Sequence, residues 1–179
     1  LVVAILNFLG CTETITAAAG IALTASHDTV SVIGLGTGNS RPTISFSTAA
    51  GADLDILAAG VTFDNLVFDL TGIDALTGPI DVNAASCTFK NCRFITGDAD
   101  GQAVVAIVTD ANSGSFNVDK CQFDGSQNAG TTTAIRIVGG ENHLINDSSF
   151  IGSYKIATGA ISVTTTAASV EIKDCRILN

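Results

Sequence analysis

Four aspartates could supply the paired carboxylates on which glycoside hydrolases depend. Such enzymes hold two carboxyl groups roughly 5 to 10 Å apart, one as the acid and one as the base or nucleophile. Asp64, Asp69, Asp119 and Asp124 occur at matching places in two similar segments, so they could stand on one side of the fold, two coils apart. However, Asp64 and Asp119 occupy polar corners that a repetitive fold exposes to water. These aspartates alone therefore identify no catalytic site.

Arginine and histidine offer two further kinds of catalytic chemistry, and both patterns are incomplete. A polysaccharide lyase of the solenoid type needs an Arg base beside a carboxylate cluster that binds calcium. Arg93 and Arg176 occupy equivalent positions, but three repeats separate them. His27 and His143 have no Ser or Cys in a nucleophile motif nearby. We therefore predict no catalytic residue from this set.

Three cysteines share one position of the repeat. They are Cys92, Cys121 and Cys175, and Ser148 takes the same position in another repeat. The pattern predicts an inward ladder of small, soft side chains that remain free thiols. Identical stacked positions do not readily give the tetrahedral geometry of zinc. Stacked strands lie about 4.8 Å apart, so a disulfide between Cys92 and Cys121 is compatible with this distance.

Two loops resemble ligand-binding motifs only in part. Residues 96–101 contain the Asp-x-Asp-Gly core of a calcium loop, but Thr96 stands at the first ligand position and Ile107 at the twelfth, where Glu is required. Residues 34–38 are glycine-rich, yet they lack G-x-G-x-x-G spacing and no helical pattern follows them. We predict a solvated loop and a tight turn, and thus no metal or cofactor.

An eight-residue pattern that recurs five times determines the elements that position these residues. It covers residues 61–68, 87–94, 116–123, 143–150 and 170–177. The third positions of the pattern are Phe63, Phe89, Val118, Ile145 and Ile172, so the steps are 26, 29, 27 and 27 residues. A fixed period in this range indicates a solenoid.

Each repeat contains about three strands and no helix. Apolar residues at the first, third, sixth and eighth positions alternate as in strands, and a polar pair between them predicts a corner. Asn65 and Asn91 at the fifth position favour a left-handed corner and could hydrogen-bond to each other along the stack. A leading strand precedes each pattern, with the apolar pairs Leu54 and Ile56, Ile80 and Val82, Val105 and Ile107, Ile135 and Ile137, and Ile161 and Val163.

Stacking of these repeats closes a continuous core, which predicts an all-β fold, a single-stranded right-handed parallel β-helix. A looser copy at residues 29–36 has its leading strand at Ile21–Leu23, and residues 42–47 and 2–6 resemble further strands. We expect one domain, residues 1–179, with about six coils of 26–31 residues. Residues 1–28 form an irregular first coil and residues 29–179 the regular coils. The lack of Met and of capping elements suggests a segment of a longer chain.

Composition excludes several classes of partner. The chain has 179 residues, 46% of them hydrophobic and only 14% charged, and its net charge is −9. Nucleic-acid binding needs clustered cations, which are missing here, so we expect no nucleic-acid partner. No apolar run approaches the roughly 18 residues of a membrane span, so we expect no membrane partner. With one Tyr and no Trp, an aromatic platform for sugars is not expected.

Residues 13–21 and 32–44 carry a family resemblance. Glu13-Thr14-Ile15 followed by an Ile-Gly-Leu-Gly turn before Arg41-Pro42 resembles the pectate-lyase-like right-handed β-helix proteins of tailed bacteriophages and prophages. The motifs cover roughly residues 2–70, and the remainder is similar in repeat style. The resemblance implies a virion surface component such as a fibre, spike or capsid decoration, often trimeric. No catalytic residue of the superfamily's lyases has a matching position.

The leading expectation is therefore a non-enzymatic structural component of a bacteriophage virion, at the virion surface. Its expected partners are capsid or tail proteins, further copies of itself in a homotrimer, and a host surface glycan. One alternative is a polysaccharide-degrading or glycan-binding tailspike-type enzyme. A carboxylate pair, or an Arg-and-calcium cluster, on one face across adjacent coils would favour that alternative. A second alternative is a bacterial surface adhesin.

Overall fold

The backbone coils into a parallel β-solenoid of about five turns, which confirms the predicted β-helix. The computed structural model describes residues 5–16, 21–47, 52–72, 74–97, 102–125, 131–154, 159–164, 166–167 and 169–179. These residues form twenty short strands and two 3-10 turns, Ala25–His27 and Gly38–Ser40. Each regular turn adds one strand to each of three parallel faces, here called the first, second and third sheets.

The first sheet contains seven strands among the described residues. They are β1 (Ile5–Leu9), β4 (Ser31–Leu35), β7 (Thr62–Asp64), β10 (Thr88–Lys90), β13 (Asn117–Asp119), β16 (His143–Asn146) and β19 (Val170–Lys173). Phe63, Phe89, Val118, Ile145 and Ile172 are direct neighbours in one row. This register confirms the alignment of the five repeats.

The second sheet follows the first across a short corner. Its strands are β2 (Thr12–Ile15), β5 (Thr43–Phe46), β8 (Val67–Asp69), β11 (Arg93–Gly97), β14 (Gln122–Gly125), β17 (Ser149–Ile151) and β20 (Arg176–Leu178). The rings of Phe68, Phe94, Phe123 and Phe150 stack inside it, with centroids 5.0, 4.5 and 4.8 Å apart. Such pairs contribute about 0.5–1.5 kcal/mol each beyond the area they bury.

The third sheet consists of the predicted leading strands. They are β3 (Ile21–Leu23), β6 (Leu54–Ile56), β9 (Asp74–Val82), β12 (Gln102–Thr109), β15 (Thr133–Ile137) and β18 (Ile161–Val163). Leu54, Ile80, Ile107 and Ile135 form a buried inward row. The outward residues between these apolar positions therefore take fixed places on the opposite side.

The corners between the first and second sheets have a left-handed backbone, as predicted. The φ angles at the fifth position of the pattern are +60°, +52°, +53°, +46° and +49° at Asn65, Asn91, Lys120, Asp147 and Asp174. Asn and Asp tolerate this conformation better than most residues, which accounts for four of the five side chains.

The expected hydrogen bond between stacked Asn amides is wrong. Nδ2 of Asn65 donates to the carbonyl oxygens of Gly34 and Gly36, at 2.7 and 2.9 Å. Nδ2 of Asn91 instead donates to Oδ1 of Asp64, at 2.8 Å. Each amide thus contacts the preceding coil through an acceptor other than the neighbouring Asn. The reason is that carbonyl and carboxylate oxygens already lie within reach of the corner.

The cysteine ladder is confirmed as a set of free thiols. Cys92 and Cys121 are buried, whereas Cys175 is half-buried. The thiols of Cys92 and Cys121 donate to the carbonyl oxygens of Phe63 and Phe89, at 3.5 and 3.4 Å. Burial raises the pKa of the Cys121 thiol, so this group remains protonated. These thiols serve as small core side chains.

Candidate functional site

Two aspartates stand side by side on the outer face of the third sheet. Strands β6 and β9 pair in parallel, and Asp55 is the direct register partner of Asp81. Neighbouring strands lie about 4.8 Å apart, which sets the spacing of the two residues. Both are half-buried, as is Asp53 on the chain before them and Asp110 just after β12. We call Asp55 and Asp81 the aspartate pair.

The apolar core fixes the outward direction of this pair. Leu54 and Ile56 flank Asp55, and Ile80 and Val82 flank its partner; all four flanking side chains are buried. Successive side chains of a strand point to opposite faces, so the aspartates must point outward. A slip of one residue would bury two carboxylates and expose four apolar groups. The pair is therefore positioned by the hydrophobic core behind it.

The two members of the pair differ in their electrostatic surroundings. Partial burial raises the pKa of Asp55, and repulsion by Asp53 and Asp81 adds to this. Partial burial also raises the pKa of Asp81, with repulsion from Asp110 and Asp53, but a hydrogen bond from the Asn83 side chain opposes the increase. Asn83 thus favours the ionised form of Asp81. Both pKa values are thus raised, and the two residues differ in that only Asp81 has a hydrogen bond that opposes the increase.

A cation lies further along the same outward row. Beyond Asp81 the row continues with Val108 on β12 and Arg136 on β15. Two strand spacings, about 10 Å, therefore separate the Asp81 backbone from the Arg136 backbone. The outer face of the third sheet presents two neighbouring acids and then a guanidinium. A chain of sugars along the solenoid axis could contact all three.

The structure places Asp69 and Asp124 on one face, two strands apart, as the sequence suggested. They share an outward row of the second sheet, with Ile95 between them. Both carboxylates have local partners. Oδ1 of Asp69 accepts from the backbone N–H and hydroxyl of Thr71, at 3.1 and 2.7 Å. Asp124 forms an ion pair with Arg93. These contacts favour a structural role.

Asp64 and Asp119 also share an outward row, on the first sheet, with Lys90 between them. Oδ1 of Asp64 accepts the hydrogen bond from Asn91. Oδ1 of Asp119 accepts one from the amide of Asn146, at 3.1 Å. Both carboxylates thus support the corners of adjacent coils, consistent with the interpretation from sequence.

The remaining predicted positions show no catalytic grouping in the described part of the chain. Register places Arg93 and Arg176 in one row, three strands apart. Nδ1 of His27 accepts from the Thr24 backbone N–H at 3.1 Å, within an exposed 3-10 turn. His143 is buried, and its Nε2 donates to the carbonyl oxygen of Gly139 at 2.9 Å.

In the part of the chain that the structure describes, no group of three or more His, Cys, Asp or Glu side chains is arranged to hold a metal ion. Residues 98–101 of the segment considered for calcium lie outside the described residues. Among the described residues, no helix is long and apolar enough to cross a membrane.

Comparison with known proteins shows the fold. No protein-family model and no curated protein matches the chain. A solved structure from Parabacteroides merdae, provisionally named a glycosyl hydrolase, superposes with a TM-score of 0.70. The match covers 98% of this chain and 81% of that one at 13% sequence identity. The two chains share a parallel β-solenoid. The resemblance noted in the sequence is thus supported for the β-helix, without its phage origin.

The leading expectation of a structural component of a bacteriophage virion is wrong. The solved structure with this fold carries the name of a glycosyl hydrolase, which favours the polysaccharide-degrading alternative instead. The physical reason lies on the third sheet, where adjacent coils align a carboxylate pair, the feature expected to distinguish that alternative. The expectation rested on the repeat pattern, which determines how a solenoid folds. The pattern does not determine which functional groups lie on the outer surface.

Sequence reasoning passed over the aspartate pair. It used Leu54, Ile56, Ile80 and Val82 as markers of leading strands and left the residues between them unused. The available signal was an Asp at the centre of this triplet in two consecutive repeats. Because the triplets align in register, identical central residues must be neighbours.

Proposed function

We propose that this protein hydrolyses glycosidic bonds in a polysaccharide, with Asp55 and Asp81 as its two catalytic carboxyl groups. The register pairing of these two outward aspartates on adjacent strands carries the proposal. Retaining glycosidases hold their carboxyl groups about 5–5.5 Å apart, and inverting enzymes about 6.5–9.5 Å. One strand spacing, about 4.8 Å, favours the retaining arrangement.

We assign the two roles from the groups that surround each residue. Asp55 has like charges beside it, so its protonated form is favoured and it donates a proton to the glycosidic oxygen. Asp81, whose ionised form accepts the Asn83 hydrogen bond, attacks the anomeric carbon as the C–O bond breaks, which releases an alcohol and leaves a glycosyl ester on Asp81. Asp55, now ionised, takes a proton from water, and the hydroxide cleaves the ester. Both residues then return to their starting protonation states.

Two further observations support the proposal. The solved structure that shares the fold is named a glycosyl hydrolase, although that name belongs to the other protein. The third sheet also runs the length of the solenoid, so its outer face offers an extended surface for a polymer. Arg136, in the same row as the pair, could orient hydroxyl or acidic groups of the bound chain.

Release of reducing ends from a panel of neutral, carboxylated and sulfated polysaccharides tests the proposal. We expect wild-type protein to cleave at least one polymer. We expect Asp55→Asn to lower the rate by about 10²- to 10⁴-fold, the usual contribution of general acid–base catalysis. The matched control is Asp69→Asn, an outward aspartate of the second sheet, which should retain full activity.

Three outcomes would contradict this mechanism. They are no cleavage of any polymer in the panel, unchanged rates in both Asp55→Asn and Asp81→Asn, and unsaturated products, which indicate a lyase. The anomeric configuration of the first product, followed by NMR, adds a further check. Retention agrees with a covalent intermediate on Asp81, whereas inversion excludes it.

A further inference from the structure

Arg136 lies in the same outward row as the aspartate pair, two strand spacings or about 10 Å beyond Asp81. Both of its neighbours along β15 are buried isoleucines, so the pleat of the strand directs Arg136 away from the core. Across the strands it faces Val108 on β12 and Ser162 on β18, and neither residue is charged. The core thus holds a guanidinium at a fixed place on the face that carries the aspartates.

The guanidinium of Arg136 is available to a ligand. Among the described residues it forms no ion pair and donates no hydrogen bond. None of its nitrogen atoms is both buried and unpartnered, so its free donors reach the surface. Asp110 lies diagonally across from it, two residues beyond Val108. The carboxylate oxygens of Asp110 accept from the backbone N–H and the side-chain amide of Asn112, at 2.6 and 3.3 Å, so this acid is held by its own turn.

The surroundings of the aspartate pair are acidic, in contrast to those of Arg136. Asp53 and Asp110 lie near the pair and are half-buried, as are Asp55 and Asp81 themselves. The negative charges of Asp53 and Asp110 reach the pair, because their repulsion contributes to the raised pKa of Asp81. A substrate carboxylate held at the pair would meet the same repulsion. A neutral sugar is therefore favoured at the bond to be cleaved.

We propose that Arg136 binds one acidic substituent, a carboxylate or a sulfate ester, on a sugar about 10 Å along the chain from the bond that the aspartate pair cleaves. The inference rests on the proposed function and deepens it by naming the substrate class, a polysaccharide of mostly neutral sugars with acidic groups at intervals. A planar guanidinium matches two oxygens of either group in a two-point contact. A polymer with an acidic group on every sugar is disfavoured, because it brings negative charge to the aspartates.

The separation between Arg136 and the pair predicts which kinetic constant it affects. The pKa values of Asp55 and Asp81 are shifted by burial, by other aspartates and by Asn83, and Arg136 is not among the causes. A contact made equally with the bound substrate and with the transition state changes KM and leaves kcat alone. On an acidic polymer that the wild type cleaves, Arg136→Gln should therefore raise KM about tenfold with little change in kcat.

Titration calorimetry with Asp55→Asn protein measures binding without turnover, since Asn resembles the protonated acid. The probes are soluble fragments of gellan, with spaced carboxylates, and of κ-carrageenan, with spaced sulfate esters. Each is compared with its neutral form, made by carboxyl reduction or by desulfation, and polygalacturonate is the densely charged polymer. We expect at least one spaced acidic polymer to bind about tenfold more tightly than its neutral form, a difference of about 1.4 kcal/mol, and more tightly than polygalacturonate.

Substitutions of Arg136 test whether this residue causes the preference. Arg136→Gln should abolish it, whereas Arg136→Lys should retain part of it, because Lys keeps the charge and loses the two-point contact. Arg176→Gln is the matched control, since Arg176 is an exposed arginine on a strand of the second sheet, and it should leave the preference unchanged. Thermal melts verify that each variant folds. The preference should also diminish as salt is raised to physiological concentration.

Asp53→Asn tests the repulsion at the aspartate pair. It should strengthen the binding of polygalacturonate severalfold and leave the binding of the neutral polymers unchanged, because only a charged sugar is repelled. Asp69→Asn on the second sheet is the control and should change neither. Equal binding of polygalacturonate by Asp53→Asn and Asp69→Asn proteins would contradict the expected exclusion of densely charged polymers.

The results separate this inference from the proposed function. A preference for gellan alone assigns a carboxylate ligand, and a preference for κ-carrageenan alone assigns a sulfate ester. The inference is overturned if neither acidic polymer binds more tightly than its neutral form, or if the preference persists in Arg136→Gln. Cleavage without any acidic preference would leave the aspartate pair standing and remove the role of Arg136. A preference that depends on Arg136, without cleavage by the wild type, would support the binding residue and contradict the catalytic pair.

Discussion

Aspartates face outward from both the first and the third sheet, but their neighbours across the strands differ. On the first sheet Lys90 stands between Asp64 and Asp119. On the third sheet Asp55 stands directly beside Asp81. Opposite charges on neighbouring strands stabilise a sheet and like charges destabilise it, by about 0.2–1 kcal/mol per pair. The first arrangement therefore serves stability, whereas the third costs stability and requires another explanation, for which we propose catalysis.

Chemical rescue tests the largest expected difference between the two rows. Asp81→Ala should lower polysaccharide cleavage by at least about 10²-fold, since it removes the proposed nucleophile. Added azide should restore turnover by taking the place of the lost carboxylate and give a glycosyl azide of inverted configuration. Asp55→Ala with azide should give the retained configuration instead.

The first-sheet control for this experiment is Asp119→Ala. It should change cleavage little, with or without azide, because Asp119 supports a corner. Rates and product configuration by NMR measure both effects. Equal losses of cleavage rate in Asp81→Ala and Asp119→Ala would contradict the proposed difference in role between the two sheets.

The corners of the first sheet should reveal their structural role through Asn91. Asn91→Ala removes the hydrogen bond to Asp64 and puts a less tolerant residue at φ +52°. We expect the free energy of unfolding to fall by about 1–3 kcal/mol. Asn91→Gly relieves the backbone strain and loses only the hydrogen bond, so its loss should be smaller. Denaturant unfolding measures both, and a larger loss for Gly than for Ala would contradict this account.

A single substitution on the first sheet can place like charges on neighbouring strands, as on the third sheet. Lys90→Asp places a carboxylate between Asp64 and Asp119, so we expect a loss of about 1 kcal/mol of unfolding free energy at neutral pH. Salt should reduce the loss, because Lys90 is exposed and the new repulsion is screened. Lys90→Asn is the control without a new charge. If Lys90→Asp and Lys90→Asn unfold alike at low salt, charge alternation contributes nothing to this row.

The smallest expected effect is a gain in stability, whereas the preceding variants lose stability. Folding raises the pKa values of Asp55 and Asp81, so the folded state holds protons that the unfolded state releases. Their contribution to stability is full below the unfolded pKa of about 3.9 and is lost as the pH rises through the raised folded values. Asp81→Asn should therefore stabilise the fold by a few tenths of a kcal/mol at pH 7, about the cost of one like-charge pair, and not at pH 3.

Asp119→Asn should show no such gain, because no like charge faces it across the strands. Thermal unfolding of both variants at the two pH values makes the comparison. A stabilisation of Asp81→Asn that persists unchanged at pH 3 would mean that charge repulsion is not its source.

The sequence predicts the inward half of this molecule well. Phe63 and Phe89 repeat because the core requires an apolar side chain at each turn, so period and register can be deduced together. Outward positions obey no such requirement. Asp55 and Asp81 become neighbours only when strands 26 residues apart in sequence are paired. The hydrogen bond from the Arg41 side chain to the Leu66 carbonyl oxygen likewise follows from no sequence period.

The parallel register has a consequence for how such a protein can change its chemistry. Equivalent positions in successive coils differ by one strand spacing, so separations between outward groups come in multiples of about 4.8 Å. Asp55 and Asp81 stand one step apart, near the retaining distance, whereas two steps approach the upper end of the inverting range. For the proposed mechanism, duplication of a single coil between them therefore predicts a change from retention to inversion. The distance between two outward groups in a β-solenoid therefore changes in steps of one strand spacing, and each step requires the gain or loss of a whole repeat.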